Sequence, residues 1–363
     1  MGLFGKKNTE KQKEKPKEMK EYIRGAGGTI VSKSILNGTS RLKWLFRQES
    51  EYGNGWIAFG DTDTQEYVND PKNMEIVDYN VLANIEPTVV NVYYMPMGSD
   101  LEFRSDKSGK YFVDTRTGEE IREPVKHPAQ IAFEKNLKFL NKETYPMEFF
   151  RTLFTKSDKC EVIQAGETDF PTGEVVLADP LAYLGTKYET VLEQKIPAGS
   201  YPVDLSICLS RIAGLRVAAA RIRISDRPAV RYEIAMPKGH QKKDQGKAGV
   251  FTFFGVDTGL ACFADAQTSE AYRIYFEKWQ QDNPGGNKYN DYFAALFQKS
   301  YEEYPEYQNQ GGSFLAWELP ETGQKLVMFS SGMGDGIYSG YWGLDEEEEA
   351  VCLVVPFLNP EYF

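Results

Sequence analysis

Residues 199–224 read GSYPVDLSICLSRIAGLRVAAARIRI. Two apolar, β-rich runs follow one another here with no helix between them. The same texture recurs in EVVLADPLA, AVRYEIAM, GVFTFFGVDTGLACF, KLVMFSS and AVCLVVPF. Two helical stretches interrupt these strands: SEAYRIYFEKWQQD at 269–282, started by Ser269, and KYNDYFAALFQKSYEEY at 288–304. Runs of strands with segregated helices predict an α+β fold with mainly antiparallel sheets, not a doubly wound one.

Moving toward the N-terminus, IAFEKNLKFLNKE (131–143) has helical spacing at Ile131, Phe133, Leu137 and Leu140 and opens this second domain. The polar, two-proline stretch before it reads as a linker over 121–130. Residues 25–120 form a separate α+β unit. GTIVSKS (28–34), RLKWLFR (41–47), GWIAF (55–59) and VVNVYYM (89–95) read as strands, and DYNVLANIEP (78–87) as a short helix capped by Asp78. LEFRSD and KYFVDT form a hairpin across KSG. Residues 1–24 hold eight basic and four acidic side chains, a locally basic tail expected to be disordered. The organisation expected is therefore a tail at 1–24, domains at 25–120 and 131–363, and a linker at 121–130. A length of 363 residues suits two domains, each with a mainly antiparallel sheet and a few helices.

Composition removes several function classes. The net charge of −11 disfavours a nucleic-acid partner, since phosphate binding needs a basic surface. Four dispersed cysteines lack CxxC spacing and read as buried thiols in a reducing cytoplasm. With only two histidines, His127 and His240, histidine-based metal sites and hydrolase triads lack their parts. No apolar run approaches the length of a signal or a membrane span, so stable membrane association is not expected. No cofactor, no metal and no catalytic residue is assigned.

Each acidic stretch has a plainer structural role beside its chemical one. In GDTDTQEYVND, position 6 of a calcium loop counted from Asp61 is Glu66 and position 12 is Lys72, so the glycine and bidentate glutamate are missing. Asp63 or Thr64 instead reads as a helix cap. FFGVDTGLA resembles an aspartic protease loop, but no second copy exists to share the proton. Asp257 reads as a turn residue with Gly259. In SSGMGDGIYSGYWG the glycine spacing is too short for a dinucleotide loop. The stretch reads as a hairpin turning at Asp335 and Gly336, or as a pocket rim with Tyr338, Tyr341 and Trp342. Asp179, before Pro180, reads as a strand exit. Asp179, Asp257, Asp335, Tyr338 and Trp342 are the candidate pocket residues of the second domain. Catalysis by paired carboxylates stays open there.

Taken as a set, Ser32-Lys33, Trp44 to Arg47, Gly55-Trp56 with Asp61 and Asp63, and Pro96 to Phe103 resemble a bacterial immunity-protein family found beside polymorphic toxins. The likeness covers about residues 24 to 120. PTGEVVLADPL, PAGSYPVDLS, GVDTGLACFAD and SSGMGDGIYSGYWG resemble a second bacterial family, of unknown function, found in the same setting. The resemblance implies a cytoplasmic protein that neutralises a cognate toxin by binding it. The acidity of the chain favours a basic toxin. Trp56, Asp61, Asp63 and Glu66 are the partner-binding candidates; core packing is the alternative for Trp56 and Trp44. A small-ligand-binding or carboxylate-dependent hydrolase domain, and a two-domain interaction scaffold, are the competing readings.

Overall fold

The computed structural model describes residues 19–50 and 53–363; most of the expected tail, residues 1–18, lies outside them. The chain divides into two compact units, the first ending at His127 and the second spanning Pro128–Phe363. Both are α+β, and their sheets are mainly antiparallel.

The first unit contains β1 (Gly28–Ser32), α1 (Lys33–Leu36), β2 (Leu42–Arg47), β3 (Trp56–Gly60), α2 (Gln65–Asn69), β4 (Met74–Asp78), α3 (Tyr79–Ile85), β5 (Asp100–Asp106), β6 (Gly109–Asp114) and β7 (Glu120–Ile121). They make one seven-stranded sheet in the order β4-β1-β3-β2-β5-β6-β7, with β1 and β3 parallel and the other pairs antiparallel. Register decides which residues are buried. Val31, Ala58, Leu45 and Leu101 lie side by side on four neighbouring strands, each fully buried. They pack with Tyr79, Leu82 and Ala83 of α3 and with Val89 and Val92. One residue along, Ile76, Ile30, Ile57, Phe46 and Asp100 form a parallel row on the opposite face. Ile76 is 66% exposed there.

Two expectations for this unit change. The 89–95 stretch is not a strand: Pro87–Val92 is a 3-10 helix. Pro87 presets a helical φ, Glu86 accepts from the Thr88 N–H at 3.2 Å, and Val89 and Val92 reach the core at three-residue spacing. The first strand also stops at Ser32, whose side chain accepts from Ser34 N at 3.3 Å and turns the chain into α1. Asp78 caps α3 as expected. In the 121–130 stretch, Ile121 pairs with Phe112 and is buried.

The second unit contains α4 (Pro128–Phe139), α5 (Met147–Leu153), β8 (Cys160–Phe170), β9 (Val175–Ala178), β10 (Thr190–Val191), β11 (Gly199–Ser210), β12 (Gly214–Arg223), β13 (Arg231–Ile234), β14 (Phe254–Val256), β15 (Leu260–Asp265), α6 (Ala266–Asp282), α7 (Ala294–Glu303), β16 (Phe314–Glu318), β17 (Lys325–Ser330), β18 (Gly336–Tyr338), β19 (Tyr341–Leu344) and β20 (Ala350–Pro356). A six-stranded sheet, β13-β19-β20-β12-β11-β8, packs on a five-stranded one, β10-β9-β15-β17-β16. A short ladder pairs β14 with β18.

Alternation assigns the buried apolar residues of the five-stranded sheet to one of two cores. Val175, Leu177, Ala261, Phe263, Val327 and Phe329 face the six-stranded sheet. Val176, Ala178, Cys262, Ala264, Leu326 and Met328 face Tyr272 and Phe276 of α6 and Phe297 of α7. Phe150 and Leu153 of α5 cover the far side of the six-stranded sheet. Four layers result, helix, sheet, sheet and helix, and both sheets are buried on two faces. Two further expectations are corrected. Asp265, not Ser269, caps α6, accepting from Gln267 N at 2.8 Å, because the helix begins where β15 ends. The chain around Asp335 and Gly336 does not join a hairpin, because β17 and β18 belong to different sheets.

Candidate functional site

In the first unit, β3 ends at Gly60, whose missing side chain leaves room for Ser40; a Cβ there would meet Ser40 Oγ at 2.1 Å. The acids that follow turn inward onto serines. Asp61 Oδ1 accepts from Ser40 Oγ at 2.8 Å and from Arg41 N at 3.0 Å. These hydrogen bonds, the Ser40 hydroxyl first, hold the Asp61 carboxyl below its ordinary range. Asp63 accepts from Ser34 Oγ and from Gly60 N, each at 2.6 Å. The cap of α2 is Thr64, which accepts from Tyr67 N at 3.2 Å. The two aspartates therefore tie the loop after β3 to α1 and to the loop that follows α1. Glu66 is exposed on α2 and carries no ion pair among the described residues.

Trp56 is 1% exposed. Its indole N–H donates to the Tyr93 carbonyl at 3.1 Å, and the Arg47 guanidinium lies 5.4 Å from its ring. A ring so enclosed offers no surface to a partner. Trp44 faces the other way. Register sets Trp44 beside Phe59 and Phe46 beside Ile57 on the outer sheet face. Trp44, Phe46 and Phe59 line a groove of about 440 Å³ with Asp63, Val68 and Asp100. Neighbouring Glu102 is neutralised by Lys43 at 2.6 Å and Arg104 at 2.5 Å. Asp100 has no ion pair among the described residues, so its carboxylate is the open charge of the groove. An aromatic wall beside an open carboxylate suits a cation.

In the second unit, the structure brings together two of the three candidate aspartates and sets the third nearby. Asp179 is fully buried at the end of β9. One oxygen accepts from Leu181 N at 2.9 Å and Ala182 N at 3.1 Å, the other from Asp257 N at 2.9 Å and Thr258 N at 2.7 Å. Thr258 Oγ1 donates to it at 2.8 Å. Asp257 is exposed and accepts from the Tyr183 hydroxyl, whose pKa that carboxylate raises. Val256 pairs with Gly336, which places exposed Asp335 near the same end of the ladder. Asp179 thus ties two loops together with its lone pairs committed, a poor general base.

Tyr338 and Trp342 do not line this cluster. Tyr338 is buried against Phe357 and donates to the Gly334 carbonyl at 2.7 Å; burial pushes its pKa up to about 12. Trp342 lies in the core, its Nε1 without a hydrogen-bond partner among the described residues, at a separate cavity of about 240 Å³ with Glu193, Glu233, His240 and Lys242. Beside Thr258 opens a larger cavity, of about 580 Å³, that also takes in Leu181, Leu260 and Gly286 to Asn290. The sequence marks Lys288 in that wall only by a Gly-Gly-Asn-Lys run at a helix start. No helix among the described residues is long and apolar enough to cross a membrane.

A family model described as Protein of unknown function (DUF4241) matches residues 168–355, from within β8 to β20. A second, described as Immunity protein Imm33 domain, matches residues 29–113, from β1 to β6. No curated protein and no solved structure matches the chain.

Proposed function

For a chain that belongs to the DUF4241 family of proteins of unknown function and carries an Imm33 immunity-protein domain, we propose toxin neutralisation by protein–protein binding through the outer sheet face of the first unit. The observation that carries the reading is the immunity match, which coincides with β1 to β6 of the sheet bearing the groove. Trp44, Phe46 and Phe59 are the aromatic anchors, and the Ile30, Ile57 and Ile76 row extends the apolar area. Asp100 receives a lysine or arginine of a basic toxin, while Asp61 and Glu66 give the rim its negative sign. The protein acts in the cytoplasm as a stoichiometric inhibitor.

The test is co-expression with the toxin encoded beside it, followed by co-purification and a rescue assay. The expected result is a one-to-one complex that D100K weakens by roughly tenfold or more. A toxin that neither binds nor is neutralised would end the immunity reading. A complex indifferent to D100K, W44A and F46A would keep immunity but move it off this face.

A further inference from the structure

The geometry points to a second binding site, in the DUF4241 unit, for a small organic anion: a carboxylate or phosphate head on an apolar or aromatic body. It does not rest on the immunity reading. The site is the cavity of about 580 Å³ beside Thr258, within the usual size range for small-molecule pockets. Its walls divide by chemistry. Leu181, Leu260 and Tyr289 supply apolar and aromatic surface, while Thr258, Asn287 and Lys288 supply polar atoms.

Lys288 carries the argument. Its ammonium lies 5.4 Å from the ring centroid of Tyr272 and 5.2 Å from that of Phe276. Both rings are buried, and the ammonium lies within cation–π reach of each. Among the described residues it makes no ion pair and no hydrogen bond. Most other half-buried cations of this unit are compensated, as Arg221 is by Asp204 at 2.7 Å. The nearby carboxylate, Asp179, cannot serve in the same way. Its lone pairs are spent on Leu181, Ala182, Asp257 and Thr258. Asp257, at the rim, is engaged by Tyr183. Burial lowers the pKa of Lys288 and the charge of Asp179 opposes that fall, as expected for an ammonium that packs on rings and has no paired carboxylate. Three donors with no acceptor, at the edge of a partly apolar cavity, specify an anion.

One turn of π-helix, Lys288–Phe293, precedes α7 and sets the lysine where it is. The wider turn lets Tyr292 and Phe293 both join the aromatic packing around Phe276. It also leaves Lys288 and Tyr289 on the cavity side. Such turns recur at functional sites.

The test is calorimetric titration of the full chain with three probes: benzoate, phenyl phosphate and inorganic phosphate. The expected result is one equivalent of benzoate or phenyl phosphate per chain, with inorganic phosphate weaker because it leaves the apolar wall unused. Preference between the first two identifies the head group. K288M should weaken binding by roughly tenfold or more, and K288R should retain most of it. K278M, removing a surface lysine paired with Glu321, should change nothing. If K288M does not fold, L181W fills the cavity, leaves the lysine in place and should also abolish binding. No binding of either aromatic anion, or binding unaltered in a folded K288M or in L181W, would overturn the proposal.

Discussion

The sheet of the first unit and the five-stranded sheet of the second are built from the same alternating strands, yet their outer residues meet different fates. In the first, Leu45 is buried under α3 while its neighbours Trp44 and Phe46 line an open groove. In the second, Cys262 and Phe263 are equally buried, because helices lie on one side and a second sheet on the other. The covered sheet gains burial on both faces and gives up its use as a surface. The half-covered sheet keeps aromatic side chains partly wet, which is costly unless something docks there.

Substitutions can break or sharpen this contrast. The largest effect is expected from F329A, which empties a site between two sheets; chemical denaturation should show a loss of about 3–5 kcal/mol. D179N comes next, since the buried carboxylate would lose part of its acceptor capacity toward Thr258 and the loop amides. About 1–3 kcal/mol is expected, read in the same way. F59A, on the open face, should cost no more than about 1 kcal/mol in stability while weakening any toxin complex. A loss as large as that of F329A would mean that the face is a core. I76T, at the exposed edge of that row, should stay within about 0.5 kcal/mol. Least of all, D61N should flatten the acid limb of unfolding. A carboxyl held below its ordinary 3.8 stabilises the fold above its unfolded pKa and ceases to as pH falls through the folded value. The change therefore appears below about pH 4, and unchanged acid titration of D61N would remove Asp61 from the loop-knitting role.

Features set by neighbours in the chain were legible without coordinates. The Asp78 cap, the Thr64 alternative for α2 and most of the strands depend on local hydrogen bonds and a two-residue period. Features set by pairing were not. Ser269 looked like a helix start because a capping residue is defined by where the preceding strand ends, and β15 ends at Asp265. Trp56 and Trp44 look alike in sequence, but β3 and β2 present them to opposite faces. The Asp179 cluster was partly legible, as three aspartates beside turns. Its saturation by the Thr258 hydroxyl and the amides of Asp257 and Thr258 was not, since those donors lie 78 and 79 residues away.

By itself, then, the sequence determined an α+β chain of two units with acidic loops, and the immunity resemblance of its first unit. Those follow from composition, periodicity and short motifs, which act over a few residues. Tertiary structure alone decided which faces of each sheet are covered, which carboxylates are spent and that Lys288, among the described residues, has neither an ion pair nor a hydrogen bond. Those depend on register and packing between distant segments, where a shift of one residue exchanges core for surface.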